Sequence, residues 1–482
     1  MQTDDFFRAR LDQMIDLRHP LAVLANRMPW AQIESTLAPA FERRNRSGHA
    51  VEGSDLFGPT LAMAGGGVSA AGRPRLPIRL MAALLYLKHA FNLSDEELVV
   101  RWSENVVWQY FSGQAYYTPK LPCDATQIGR FRSAIGEAGV EELLKATIDA
   151  AVQMKAIRPA EFERVIVDTT VQEKAIAHPV DSRLLDIARA KVVQAARSVG
   201  ITLKQTFVKE AKELRRKAGG YAHAKQFRRL KRVLKRQRTI LGIVLREIQR
   251  KLAATAVENT QALAQLTTLL ERAERIRTQQ PKDKNKLYAL HAPEVECIGK
   301  GKARKPYEFG VKASIAVTHK QGLIVGARSF PGNPYDGHTL KEQLEQTSIL
   351  LEDVGVVPRH VMVDLGFRGV DRDNPRVQII HRGKAKFLNR QQRRWLKRRQ
   401  AVEPTIGHLK SDHRMDRCWL AGSIGDALHT VLCAAGYNLR WLMRAVARLG
   451  LRGFFALIAL ILWFSIPISH NPNAVCQRRA VG

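Results

Sequence analysis

Apolar and polar positions change their spacing along this chain in a way that separates helical from strand-rich regions. Between Pro77 and Phe91, the residues Leu80, Ala83, Leu84, Leu87 and Phe91 recur at helical intervals. Asn92 then offers a turn and Ser94 an N-cap ahead of Asp95, Glu96 and Glu97, acids that suit the positive end of a helix. The next helix carries Leu98, Val99, Trp102 and Val106, and a third follows Asp124-Ala-Thr126 with Arg130 and Arg132 on it. Two short helices around a tight turn read either as helix-turn-helix geometry or as an ordinary helical hairpin. Residues 1–62 also read as helical. The Gly-rich stretch Met63 to Arg73 reads as a linker, and without a Gly-Lys-Ser/Thr ending it is no phosphate loop.

The pattern then shifts. Glu163 to Thr170 is a β-branched run containing an acid, Asp168. Tyr307 to Thr318 and Leu323 to Phe330 predict two strands around Lys320-Gln-Gly322, a hairpin. Thr339 to Val354 predicts an amphipathic helix, His360 to Asp364 a strand ending in an acid, Val377 to His381 a short strand, and Gln391 to about Leu409 a helix. The expected fold class is therefore α/β: an RNase H-like order of elements in 161–182 and 283–440, with an all-α domain of DNA-binding type at 74–150.

Residues 183–282 interrupt that order with four predicted helices: Leu184 to Val199, Thr202 to Lys217, Ala222 to Leu252 and Val257 to Gln279. The third alternates apolar positions with Arg228, Arg229, Lys231, Arg232, Lys235 and Arg236, a cluster of one sign that suits a DNA backbone.

Charge strengthens that reading. Of the 482 residues, 77 are Lys or Arg and 45 are Asp or Glu, a formal net charge of +32. A chain this basic needs a polyanionic partner, and nucleic acid is the first candidate. Hydrophobic residues make up 45%, enough for a large core and against wholesale disorder. Five scattered cysteines without a Cys-x-x-Cys pair argue against a structural zinc site and for a reduced, cytoplasmic compartment. No signal-peptide pattern opens the chain. The apolar run Phe454 to Ile468 falls short of the roughly 20 residues a spanning helix needs, and reads as a packing helix within a tail, 450–482, that is otherwise uninterpreted. The alternatives are a membrane anchor or a frame artefact at the end of the gene.

Asp168 follows Val165-Ile-Val167, and Asp364 follows Val361-Met-Val363. Strand-end acids on neighbouring parallel strands would meet at one edge of the sheet, where open α/β sheets carry their sites. Converging carboxylates repel one another unless a cation lies between them, and Mg2+ prefers such oxygen ligands. A third acid, Glu403, lies one turn after Arg399, with Pro404 behind it. Pro404 leaves two geometries open: a kinked helix, or a new helix with Glu403 as N-cap. Asp336 rivals Asp364 as the second acid but lies in a turn-rich segment, Asn333 to His338, and is expected to fix that turn. His178 and His338 have no metal-ligand partners at useful spacing. Gly299-Lys-Gly-Lys302 lacks the glycine spacing of a phosphate loop.

Four segments together resemble the DDE transposases of bacterial insertion sequences, in particular the family-five group. They are Val167-Asp168-Thr-Thr-Val-Gln-Glu-Lys174 with Asp181-Ser182, then Tyr307-Glu-Phe-Gly-Val-Lys312, then Asp364-Leu-Gly-Phe-Arg-Gly369, and finally Arg399-x3-Glu403-x6-Lys410. Residues 74–136 resemble the N-terminal domain of the same proteins, and the likeness spans most of 70–440. The chain departs from the signature at Leu396, where the family has Tyr; Trp395 is beside it.

The resemblance implies cutting at the ends of a mobile element, and joining of the 3′-hydroxyl ends to target DNA, by phosphoryl transfer with two Mg2+ or Mn2+ ions on Asp168, Asp364 and Glu403. It implies Arg399 and Lys410 on DNA phosphates, a homo-oligomeric synaptic complex, no membrane partner, and a place on the bacterial nucleoid. A nuclease of the same fold without strand transfer, and a non-catalytic DNA-binding regulator, are the other readings.

Overall fold

Strand β1 (Arg164–Glu173) forms because its β-branched run can be covered on both faces, and Val165, Ile166 and Val167 are fully buried. The architecture around it comes from a computed structural model, which describes residues 9–41, 76–254, 260–299 and 305–465, with side chains as far as 450. The predicted linker at 63–73, and most of the C-terminal tail, lie outside the described residues.

The sheet has six strands. β2 (Glu296–Gly299), β3 (Tyr307–Thr318) and β4 (Ile324–Phe330) precede β5 (His360–Met362) and β6 (Gln378–Ile380). β3 pairs antiparallel with β1 along one side, and with β2 and then β4 along the other. Beyond β1, strands β5 and β6 run parallel to it. The order β4-β3-β1-β5-β6, three strands antiparallel and then two parallel, is the RNase H-like arrangement that the element order predicts. Gly322 turns the β3–β4 hairpin with φ of 68°. The helix Leu340–Leu350 covers one face of the sheet.

The N-terminal helices are α1 (Leu11–Met14), α2 (Pro20–Ala25), α3 (Trp30–Leu37), α4 (Ile78–Ala90), α5 (Asp95–Glu104), α6 (Val106–Phe111) and α7 (Ala125–Gln153). The predicted cap at Ser94 is present as a full capping box with Glu97, and Asn92 takes a left-handed turn. Helix α4 is buried from Leu80 to Ala90. The exposed side of α5 carries Glu96, Glu97 and Glu104 beside Arg101.

Helices α8 (Asp181–Ser198), α9 (Val208–His223), α10 (Phe227–Ala254) and α11 (Thr260–Thr278) form the insertion. They bury a core of their own that includes Leu185, Val192, Leu241, Val244, Ile248, Leu266 and Leu270. The N-terminal helices and the sheet instead share one continuous core. After the sheet's own helix α12 (Leu340–Leu350) come α13 (Arg390–Lys397), α14 (Val402–Asp412) and α15 (Gly422–Ser465). Helix α15 joins the two parts. Its Asn438 amide accepts from Ile324 N at 3.0 Å and donates to Ile324 O at 2.8 Å on the outer strand β4. Gln346 of α12 pairs in the same way with Ala327, so side chains satisfy the backbone of that edge. The apolar segment 454–465 continues α15 as a helix; among the described residues no helix is long and apolar enough to cross a membrane.

Candidate active site

The parallel register of β1 and β5 pairs Val165 with Val361 and Ile166 with Met362. Asp168 and Asp364 each lie two residues beyond the last of those partners, so the fold brings both acids to the same level, where β5 has ended beside the middle of β1; Asp168 is therefore not at a strand end as expected. Each carboxylate is held by a nearby backbone amide. Thr169 N donates to Asp168 Oδ1 at 2.8 Å, and Gly366 N donates to Asp364 Oδ1 at 2.8 Å, which makes Asp364 the cap of the short helix Leu365–Phe367.

Glu403 arrives from the other side. Helix α13 ends at Lys397, a 3-10 turn over Arg398–Ala401 follows, and α14 starts at Val402. Glu403 therefore lies inside the first turn of α14 and is not its N-cap. Pro404 is tolerated there because first-turn amides have no intrahelical partner. Seven residues apart on this helix, Glu403 and Lys410 share a face. The Arg399 guanidinium reaches two of the acids, with Nη1 3.4 Å from Asp168 Oδ2 and Nη2 3.8 Å from Glu403 Oε1. Asp168 is only 17% exposed, whereas Glu403 is 64% exposed. The third acid is thus far more exposed than the first.

Lys410 Nζ is 3.3 Å from Glu308 Oε2, a buried carboxylate of β3. Trp395 is no stand-in for the missing Tyr. Its ring packs against Arg164 and His360 at the opening residues of β1 and β5, the far end of those strands from the acids.

The residues that sequence reasoning passed over surround Asp336. Its Oδ1 accepts from Thr169 Oγ1 at 2.9 Å and from Lys312 Nζ at 2.7 Å. Lys312 stands in the segment Tyr307 to Lys312, which was the signal available. The exposed His178 and His338 rings lie edge-on against Phe309 and Tyr335.

Arg228, Arg229, Lys231, Arg232, Lys235 and Arg236 all face solvent from the first half of α10. Arg236 also grips Glu210 at 2.6 and 3.0 Å. Among the described residues, the three ligand-type side chains that approach one another most closely are buried elsewhere: His89, His429 and Cys433, where α4 meets α15. Lys88, Arg132 and Arg414 surround them, and burial drives His429 down to about 3 and the Cys433 thiol well up, so all three are neutral packing groups.

Residues 273–439 match the family described as Transposase DDE domain, which takes in Asp364, Arg399, Glu403 and Lys410. Residues 55–134 match the Transposase domain (DUF772). The chain belongs to the DDE transposases of insertion sequences. Strand β1 with Asp168 precedes the matched DDE segment and joins it through the pairing with β3 and β5. The transposase is also 42% identical over 224 residues to an uncharacterized protein, ORF8 in the nfe locus of Rhizobium meliloti, covering 46% of this chain and 95% of that one. No solved structure matches.

Proposed function

We propose that this transposase cuts DNA at the ends of its element and joins the freed 3′-hydroxyls to target DNA at the site formed by Asp168, Asp364 and Glu403. The shared offset of Asp168 and Asp364 on adjacent parallel strands carries this reading. Their donor set is oxygen only, which fits a hard divalent cation, Mg2+ or Mn2+, and two such ions suit three carboxylates around one phosphate. Bound there, the cations would neutralise the scissile phosphate and lower the pKa of the attacking water or hydroxyl.

The protein's own residues do the rest. Asp168, held by Thr169 N and more buried than Glu403, would hold a cation together with Asp364, which Gly366 N holds in the same way. Asp364 and Glu403 close the two sides. Arg399 is within reach of a phosphate oxygen at the same place, and its planar fork suits bidentate grip. Lys410 adds a second cation on the face of Glu403. The exposed cations of α10 track the backbone of the DNA away from the cut. Because two ends must be joined in concert, a homo-oligomer follows from this reading.

A strand-transfer assay with a pre-cut end, target DNA and Mg2+ tests it. Joined product that disappears with Asp364→Ala is the expected result. Cleavage without joining indicates a nuclease, and DNA binding without either reaction indicates a regulator.

A further inference from the structure

We propose that Asp336 is a positioning residue of this site, a fourth carboxylate that locks the strand bearing Asp168 to the turn bearing Asp364. The proposal rests on the reading of those two acids as cation ligands. Each acid is fixed by the backbone N–H of a neighbour, Thr169 for Asp168 and Gly366 for Asp364. Asp336 touches both of those neighbours. Its Oδ1 accepts from Thr169 Oγ1 at 2.9 Å. Its Oδ2 lies over Gly366, 2.9 Å from the point a Cβ there would occupy, and Asp364 Oδ1 lies 2.9 Å from the same point. A side chain at position 366 would push into both carboxylates and displace them, so the glycine leaves room for the two acids to share this space.

The geometry around Asp336 is built to hold and not to yield. It opens the turn Asp336–Thr339 ahead of α12, where Thr339 Oγ1 donates to Asp336 O at 2.7 Å. Strand alternation turns Asp168 toward the face where Gln172 meets Asp426 and Thr430 of α15. The same alternation turns Thr169 the other way, toward Asp336 and α12. A bare fourth carboxylate so close would repel the other two. Lys312, whose side chain is only 10% exposed, cancels that charge at 2.7 Å. With Oδ1 committed to Thr169 and Lys312, Asp336 serves as a brace and the cation ligands remain the other acids.

The test uses the full-length transposase in Mn2+ titration calorimetry, thermal unfolding, and single-turnover cleavage of a duplex carrying one end of its element. Asp336→Ala should weaken Mn2+ binding about tenfold at unchanged stoichiometry and slow cleavage at least tenfold, with DNA affinity unchanged. Asp336→Asn, which keeps an acceptor for Thr169 but not the ion pair, should recover part of both. Thr169→Val removes only the hydroxyl and should move Mn2+ affinity the same way by a smaller factor, which keeps the proposal testable if Asp336→Ala does not fold. A lowered melting temperature with wild-type Mn2+ affinity makes Asp336 a turn-fixing residue only and overturns the proposal. Loss of one bound ion makes it a ligand and overturns it equally. Asp168→Ala and Asp364→Ala run alongside. If they bind Mn2+ as wild type does, the reading of the site itself fails; if they lose binding while Asp336→Ala does not, only the brace fails.

Discussion

Arg399 connects two of the three acids, with Nη1 3.4 Å from Asp168 and Nη2 3.8 Å from Glu403. A guanidinium in that position competes with any divalent cation for the same carboxylates, because like charges disfavour one another at short range. Arg399→Gln should therefore bind Mn2+ about three- to tenfold more tightly in the absence of DNA. Its cleavage rate should fall by about a hundredfold, since the group that would steady charge at the phosphate is gone. Titration calorimetry and single-turnover cleavage measure the two effects. Weaker Mn2+ binding by the variant would show that Arg399 supports the cation site and does not compete for it.

Lys410 has two candidate roles that separate cleanly. Its partner Glu308 is buried on β3, 3.3 Å away, and Lys410 itself is mostly covered. Removing one partner of a buried pair leaves the other poorly compensated. Lys410→Ala should cost roughly 1–3 kcal/mol in urea unfolding, and Glu308→Gln/Lys410→Met should restore much of it. A variant as stable as wild type but with weaker DNA binding would assign Lys410 to phosphate contact alone.

The two acids were readable because a parallel pair needs only matching apolar runs, and Val165 to Val167 and Val361 to Val363 supply them; Asp364 does follow the end of β5, but Asp168 stands in mid-strand, because pairing with β3 carries β1 on to Glu173. Strand β3 was readable to the residue for a similar reason, since its whole length reads as one β-rich run. Other features depended on contacts that no local pattern reveals. Helix α9 begins at Val208 and not near Thr202, because Lys204 N is drawn to Glu247 of α10 and Phe207 adopts a left-handed backbone. Pro404 alone left open a kink or an N-cap at Glu403, but the 3-10 turn before it starts the helix at Val402, two residues ahead of Pro404. Asp336 meets Thr169 from 167 residues away, so the brace exists only in the folded chain.

The first half of α10 presents its cations on an exposed helical face, so their removal should leave the fold intact while changing DNA binding. Lys231→Ala/Arg232→Ala/Lys235→Ala should stay within about 0.5 kcal/mol of wild type, as exposed helix substitutions to alanine do. Its affinity for unrelated duplexes should fall uniformly. Each lost phosphate contact should reduce the slope of log K against log salt by about 0.9, which sets a ceiling near three for the triple variant. Fluorescence anisotropy over a salt series reads this directly, and an unchanged slope would place the DNA elsewhere.

Acid stability should be set in part by the buried imidazoles between α4, α14 and α15. Burial lowers His429 to about 3 and His413 to about 4. Both are therefore neutral in the folded chain, where His429 Nε2 bonds Arg414 O at 2.9 Å. In the unfolded chain they titrate near 6.5. Between those values the unfolded state binds the extra proton, so stability rises with pH from about 3 to 6.5 and is level above that for these groups. Each histidine contributes at most about 1.4 kcal/mol per pH unit within the window. Asp149 opposes the trend, since burial raises its carboxyl to about 6 and its folded form favours the proton. A difference measurement removes that contribution. His429→Gln keeps a donor for Arg414 O but does not titrate, so wild type should lose more stability than the variant between pH 6.5 and 4.5. Urea midpoints at four pH values check this. Parallel profiles for the two proteins would mean that His429 is not held neutral in the fold.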